Sequence, residues 1–192
     1  MVTDLHCHSD ASDGVLTPLE LLARARNNGV SRLAVTDHDT VEGVLSIERQ
    51  LAAEVDVSDM EFVPGVEITA LAGKQTVHLL GLWIDAHDDA LRRFLDGQRQ
   101  IRQLRGEAIA AKLASVGFKD VLAGALKIAD GAALNRPHFA KYLVEAGYCD
   151  LEQQAFRKWL GAGKVADVAC AWPSLENVVA VIHAAGGLAV LA

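Results

Sequence analysis

Cysteine is scarce: Cys7, Cys149 and Cys170 are the only three in 192 residues, and no two fall in a Cys-x-x-Cys spacing. That excludes a disulfide-built secreted scaffold, a thiolate-only zinc site and an iron–sulfur cluster, and it suits a reducing cytosol. Proline is rare (4 residues) and aromatics make up 5%, while 16 glycines show no repeat, so the chain is neither collagen-like nor of low complexity. No apolar run reaches the ~18 residues of a membrane span. The opening Met1-Val2-Thr3-Asp4-Leu5-His6 lacks the basic and apolar segments of a signal peptide. Positive charge is also short, with 18 Lys+Arg against 25 Asp+Glu and a net charge of −7. That argues against a general grip on duplex DNA or a membrane surface, and leaves only a local basic groove for a short single strand. A soluble, cytoplasmic protein is expected.

With 51% apolar and 22% charged residues, the sequence can bury a normal core in one domain with a possible sub-domain. Val2–Leu5 reads as a strand running into the polar loop His6 to Gly14. Thr17-Pro18-Leu19-Glu20 predicts a capping box with proline in the first turn, opening a helix that Gly29 closes. Arg32–Thr36 is a second strand, and Asp39 with Glu42 predicts a further capping box on a helix to about Val55. Glu61–Thr69 and Thr76–Ile84 read as adjacent strands joined by Ala70–Gln75. From Asp85 to about Gly163 the spacing is helical, and a helix over Ser174–Ala185 precedes a strand at Gly187–Leu191. Alternating strands and helices predict an α/β fold with a parallel sheet or barrel, divided into a discontinuous part (1–84 and 165–192) and a helical insertion (85–164).

In such folds chemistry collects where strands end. There stand His6 and His8, Asp13, Asp37-His38-Asp39, Glu67 and His78. Side chains alternate along a strand, so His6 and His8 point one way and Cys7 the other. A single histidine is most often an ordinary structural residue. Several imidazoles and carboxylates at the ends of successive strands suit divalent cations instead, and cations are what a hydroxide nucleophile at neutral pH and phosphoryl oxygens require.

The segments Asp4-Leu5-His6-Cys7-His8-Ser9, Ser12-Asp13-Gly14, Thr36-Asp37-His38-Asp39-Thr40, Gly65-Val66-Glu67 and Val77-His78-Leu79-Leu80-Gly81 together resemble the opening motifs of the PHP (polymerase and histidinol phosphatase) phosphoesterases. The helical insertion is similar to that of the branch that removes the 3′-phosphate from nucleoside 3′,5′-bisphosphates or trims RNA from its 5′ end. The resemblance implies a distorted (β/α)7 barrel holding two or three divalent ions, Mn, Zn or Fe, with Mg also acceptable. It implies His6, His8 and Glu67 as ligands of one metal, Asp13 and His38 of a second with Glu67 as bridge, and His78 at a further position. Asp37 and Asp39 are expected to orient His38 or its loop.

Asn135-Arg136-Pro137-His138 predicts a helix start, with Asn135 as cap. Arg136 and then His138 are candidate substrate-binding residues, the alternative being a surface arginine and a capping histidine. Lys164, after Gly161-Ala162-Gly163, is a candidate phosphate-facing residue on a loop that could cradle an anion but lacks the Walker spacing. Trp83, Trp159 and Trp172 are expected in the core, and His87 and His183 at the surface.

The implied reaction is phosphomonoester hydrolysis by a metal-bound hydroxide, acting on the 3′-phosphate of a nucleoside 3′,5′-bisphosphate. Asp13, His38 and His138 are the candidate catalytic residues, His138 as a proton donor. The alternatives are 5′-3′ trimming of a short RNA end, a histidinol-phosphate-type phosphatase, and an inactive metal-binding or regulatory remnant. The last is motivated by the end of the sequence. Family members follow the strand resembling Gly187–Ala192 with His-Pro and later an Asp-x-His pair, so a barrel truncated on its C-terminal side is expected.

Overall fold

The computed structural model describes residues 2–52 and 60–192. It divides into two compact units, Met1–Gln98 with Trp172–Ala192, and Arg99–Ala171. The dividing points fall inside a long helix and just before Trp172, where the sequence places them at 84/85 and 164/165.

The first unit is built on a five-stranded sheet in the order β1 (Val2–Cys7), β2 (Val30–Val35), β3 (Glu61–Ala72), β4 (Gln75–Leu82), β5 (Leu188–Leu191). β1, β2 and the first part of β3 are parallel, as expected, with Arg32 to Val35 lying beside Glu61 to Pro64. From Gly65 onward β3 turns to an antiparallel partner, β4, through the pairs Gly65–Leu82 to Ala72–Gln75. The expected connection Ala70–Gln75 therefore shrinks to Gly73-Lys74, where Gly73 takes a φ of 62° that a two-residue hairpin demands. β5 is antiparallel to β4, so β4 alone runs against the other described strands and the sheet is not wholly parallel.

Helix α1 (Pro18–Asn27) begins as the sequence predicts. Thr17 Oγ1 accepts the Glu20 N–H, and the Glu20 carboxylate accepts the Thr17 N–H. Helix α2 (Glu42–Ala52) departs from its expected cap: the Glu42 N–H goes to Thr40 Oγ1, because Asp39, at a φ of 51°, turns its carboxylate to β3. The expected end of this helix at Val55 lies outside the described residues. Leu22, Leu33, Val35 and Ile47 pack α1 and α2 on one face of the sheet. Val44, Val66, Ile68, Leu79, Leu91, Val178 and Ile182 continue that layer, the last two from α7 (Leu175–Ala184), which Ser174 caps. The period of two then sends Val63, Leu80 and Leu82 to the opposite face, the face that Glu67, Thr69 and His78 share.

The long helix α3 (Asp89–Ser115) starts in the first unit and continues in the second. There α4 (Val121–Ala129), α5 (Arg136–Glu145) and α6 (Glu152–Ala155), prolonged by a π-helical turn at Phe156–Leu160, enclose Ile109, Leu113, Phe139, Leu143 and Leu160. Trp159 packs edge-on against Phe118 with ring centroids 4.9 Å apart, and Trp172 is buried. Trp83 departs from expectation: it follows the last residue of β4 at a φ of 56°, which swings it out to 41% exposure. His87 and His183 are exposed, as expected. Among the described residues no helix is long and apolar enough to cross a membrane.

Candidate metal centre

The sheet order sets the donors in a row. His6 lies near the end of β1 and His8 one residue beyond it, while the Cys7 thiol donates away from them to the Ala34 carbonyl at 3.0 Å. Burial, with the charges of Asp4 and Asp37 adding to it, pushes that thiol up to about 12, which leaves it an inert wall residue. Beyond β2 the backbone resumes pairing with β3: the Glu67 N–H donates to Asp37 O at 3.1 Å and the Asp39 N–H to Glu67 O at 2.8 Å. His38 is thereby held beside Glu67. On the far side His78 pairs across the hairpin with Thr69, two residues along the same face from Glu67.

Glu67, buried in the sheet, is the hub. Its Oε2 lies 2.9 Å from His6 Nε2, 2.7 Å from His8 Nε2 and 3.6 Å from His38 Nδ1, and its Oε1 lies 3.6 Å from His78 Nδ1. Asp13 closes the group, with Oδ1 2.9 Å from His8 Nδ1 and Oδ2 3.9 Å from His38 Nε2. Three overlapping triads result: His6, His8 and Glu67; His8, Asp13 and His38; His38, Glu67 and His78. In each, one ligand atom per residue lies within 4.8 Å of the others.

Ring nitrogens crowded on carboxylate oxygens would oppose lone pair to lone pair unless protons or cations stand between them. In the absence of cations, burial works against a charge on His8, but its bonds to Asp13 and Glu67 outweigh it and lift His8 to about 9. Burial likewise opposes ionisation of Glu67, and the His8 bond, the charge of His38 and the His6 bond overcome it and hold Glu67 near 2. An acid kept ionised among imidazoles, with no thiolate in the set, fits divalent ions of the Mn, Fe and Zn type. The site's chemistry and the sequence motifs thus agree on cations.

Comparison with known proteins decides the family. A family model described as the PHP domain matches residues 4–89. The chain is 41% identical over 190 residues to a 5′-3′ exoribonuclease of Haemophilus influenzae, spanning 98% of this chain and 67% of that protein. It is 38% identical over 190 residues to a 3′,5′-nucleoside bisphosphate phosphatase of Chromobacterium violaceum, spanning 98% of this chain and 65% of that one. The chain belongs to the PHP-domain phosphoesterases. The structure of a Chromobacterium violaceum amidohydrolase with bound sulfate superposes with a TM-score of 0.91 at 37% identity, over all of this chain and 66% of the other. The chain spans about two thirds of the length of these relatives.

In this PHP domain the two aspartates flanking His38 serve the frame. Asp37 accepts from the Ser9 N–H, Ser9 Oγ and Ser12 Oγ, each at 2.7 Å, and so folds the loop that presents His8 and Asp13. Burial pushes its carboxyl up, against the pull of Ser9, Ser12 and His8. Asp39 accepts from the Thr69 N–H at 3.0 Å and from Gln98 Nε2 at 3.0 Å. Sequence reading missed Ser9, Ser12, Thr69 and Gln98, whose roles depend on contacts from 25 residues upward in separation. It also missed Gly43, where a Cβ would stand 2.1 Å from Asp37 Oδ2 and 2.9 Å from Ser9 Oγ. The available signal was a glycine at the second position of a helix, a place that disfavours it.

Arg136, His138 and Lys164 lie in the second unit. His138 is buried and its Nδ1 accepts the Asn135 N–H at 3.1 Å, so it caps α5 and carries its ring proton on Nε2. Arg136 is half-buried, with Nη1 3.4 Å from the Leu160 carbonyl. The Gly161–Lys164 loop does not cradle an anion with its amides. Those of Gly161, Gly163 and Lys164 donate to Phe156 O, Asp167 Oδ2 and Gly161 O. The exposed Lys164 side chain is what remains of that motif.

Gly43→Ala pushes Asp37 off the Ser9–Ser12 turn, so Mn²⁺ affinity, read by calorimetry, falls roughly 10- to 100-fold while helix content is kept; unchanged affinity contradicts the role given to Asp37. In chelator-treated protein, the raised His8 contributes stability in full below 6.5 and loses it as pH rises through about 9. The lowered Glu67 contributes in full above 4.5 and loses it as pH falls toward about 2. The melting temperature should therefore peak between these limits, and His8→Ala should flatten its alkaline limb; an unaltered limb excludes the His8 network as its source.

Proposed function

We propose that this PHP domain belongs to an enzyme hydrolysing the 3′-phosphate of nucleoside 3′,5′-bisphosphates, built on a distorted (β/α)7 barrel of which 85–164 is a helical insertion. The observation that carries the reading is Glu67 with four imidazoles and Asp13 around it on one face of the sheet. His6, His8, Asp13, His38, Glu67 and His78 would hold two or three Mn, Zn or Fe ions. Such ions supply a nucleophilic water ionised at neutral pH and positive charge for the phosphoryl oxygens.

The chain's own residues do the rest. Glu67, kept ionised, offers one oxygen to His6, His8 and His38 and the other to His78, the arrangement of a bridging carboxylate. Asp13 fixes the ring orientation of His8 through Nδ1. Arg136 and Lys164 provide fixed cations for phosphate oxygens, and a guanidinium suits a planar two-oxygen contact. His138 offers a proton on Nε2, since Nδ1 is engaged in the cap. A leaving alkoxide needs such a donor.

Removal of nucleotides from the 5′ end of a short RNA is the second reading. It is favoured by the 41% identity to the exoribonuclease, and the net charge of −7 confines it to short single strands. The full-length protein, assayed with Mn²⁺ on adenosine 3′,5′-bisphosphate and on a 5′-phosphorylated oligoribonucleotide, should release phosphate from the first faster than it shortens the second. His8→Ala and Asp13→Ala should each cost at least about 100-fold in rate together with bound metal. No phosphate release from the bisphosphate, or full turnover in both variants, refutes the reading.

A further inference from the structure

Helix α3 carries a polar group where its spacing calls for an apolar one. Leu91, Leu95 and Gln98 fall at i, i+4 and i+7 on one face of the helix, all within the first unit. The two leucines pack into the layer of Val66, Ile68 and Ile182. Gln98 is 2% exposed, so its carboxamide is buried with them. Burying an amide is unfavourable unless its hydrogens find acceptors, and both do: Nε2 donates to Asp39 Oδ1 at 3.0 Å and to the Thr69 carbonyl at 2.7 Å. The reversed amide would set Oε1 against a carboxylate and a carbonyl, lone pair to lone pair. In the orientation observed Oε1 is buried with no hydrogen-bond partner, so the two donors are what this position uses.

Those donors fall at a gap in the sheet. Along the edge of β3 that faces β2, the backbone groups of every second residue need partners. Glu67 finds them on the stretch after β2, its N–H on Asp37 O and its carbonyl on the Asp39 N–H, and Leu71 donates to Pro173 O at 2.8 Å. Between them, at Thr69, two side chains take the place of a strand: Asp39 Oδ1 accepts the N–H at 3.0 Å and Gln98 Nε2 donates to the carbonyl. Because both backbone groups of Thr69 point away from β4, Thr69 and His78 form the close, non-hydrogen-bonded kind of antiparallel pair. Their side chains therefore meet. Thr69 Oγ1 donates to Asp39 Oδ2 at 3.1 Å and turns a lone pair to His78 Nδ1 at 3.4 Å, and His78 Nδ1 stands 3.6 Å from Glu67 Oε1.

We propose that Gln98 is a positioning residue for His78: by tying the Thr69 carbonyl to Asp39 it fixes β3 where His78 leans on it, and so fixes the approach of that imidazole to Glu67. This role rests on His78 being a metal ligand and is independent of which phosphate ester is cleaved. A methionine or leucine at 98 would complete the apolar stripe of α3, suit the helix equally well and lose both donors, so the packing of the helix and the setting of His78 can be separated. His6 reaches Glu67 from β1, on the other flank of β3, and does not depend on this contact.

The test is calorimetric titration of the full-length protein, stripped of metal, with Mn²⁺ in a double-mutant cycle. His78→Ala should weaken Mn²⁺ binding. Gln98→Met should weaken it roughly tenfold or more, while the melting temperature of the stripped protein holds or rises. In the His78→Ala background Gln98→Met should change Mn²⁺ affinity less than twofold, and in the His6→Ala background it should keep its full effect; a merely structural amide would act equally in both. Gln98→Leu should repeat the result, so that poor folding of one variant does not decide it. Mn²⁺ affinity within twofold of the unsubstituted protein in both Gln98 variants, or an equal loss with and without His78, overturns the positioning role and leaves His78 as a ligand. Unchanged Mn²⁺ binding in His78→Ala overturns the ligand reading itself, and the positioning role with it.

Discussion

One carboxylate organises this molecule. Glu67 is buried on β3, and it can be buried as an anion only because imidazoles reach it from the strands on both flanks of β3. β3 makes this possible by changing partners partway along. Its first residues extend the parallel sheet that brings His6, His8 and His38 from one side. Its later residues pair with β4, which brings His78 from the other. A strand wholly parallel to its neighbours would need a crossover before the next donor arrived. The Gly73-Lys74 hairpin delivers it at once.

The frame around Glu67 is equally economical. The tripeptide Asp37-His38-Asp39 inserts one donor and ties down its surroundings in two directions. Asp37 reaches back to the Ser9–Ser12 turn and Asp39 forward to Thr69 and Gln98. Thr69 Oγ1 lies 3.4 Å from His78 Nδ1, so the Asp39 side of the network ends at a donor, as the Asp37 side ends near His8. The left-handed backbone at Asp39 is what frees its carboxylate from capping α2 for this purpose. Orientation of ring and carboxylate donors by such partners fixes their lone pairs before any cation arrives.

How much of this could be read from residues alone follows from the range of the interactions. The capping box of α1, the hairpin and the outward Cys7 are local and were legible from spacing. The strand-end cluster of histidines and carboxylates was legible too, from period-2 alternation and placement, whereas the choice of six among them as donors came from the resemblance to the PHP motifs. The partner change of β3, the outward turn of Trp83 and the forward reach of Asp39 were not legible. Each depends on a backbone conformation or pairing that tertiary context imposes, two of them at positive φ in residues that seldom adopt it. Gly43 and Gln98 stayed hidden for the same reason: their importance lies in what approaches them from distant parts of the chain.

The two units also differ in how they would treat phosphate. The donors of the first are neutral rings and anionic carboxylates, which repel a phosphate until cations supply the charge. The second unit carries its positive charge permanently, on guanidinium groups that stay protonated across the physiological range. In a chain of net charge −7 the arginines on one face of α3 are tied to the α4–α5 connection through Gly131 O and Asn135 Oδ1 rather than spread as a general basic surface. Charge that depends on a bound ion can be matched to a bond-breaking step, whereas fixed charge is suited to holding.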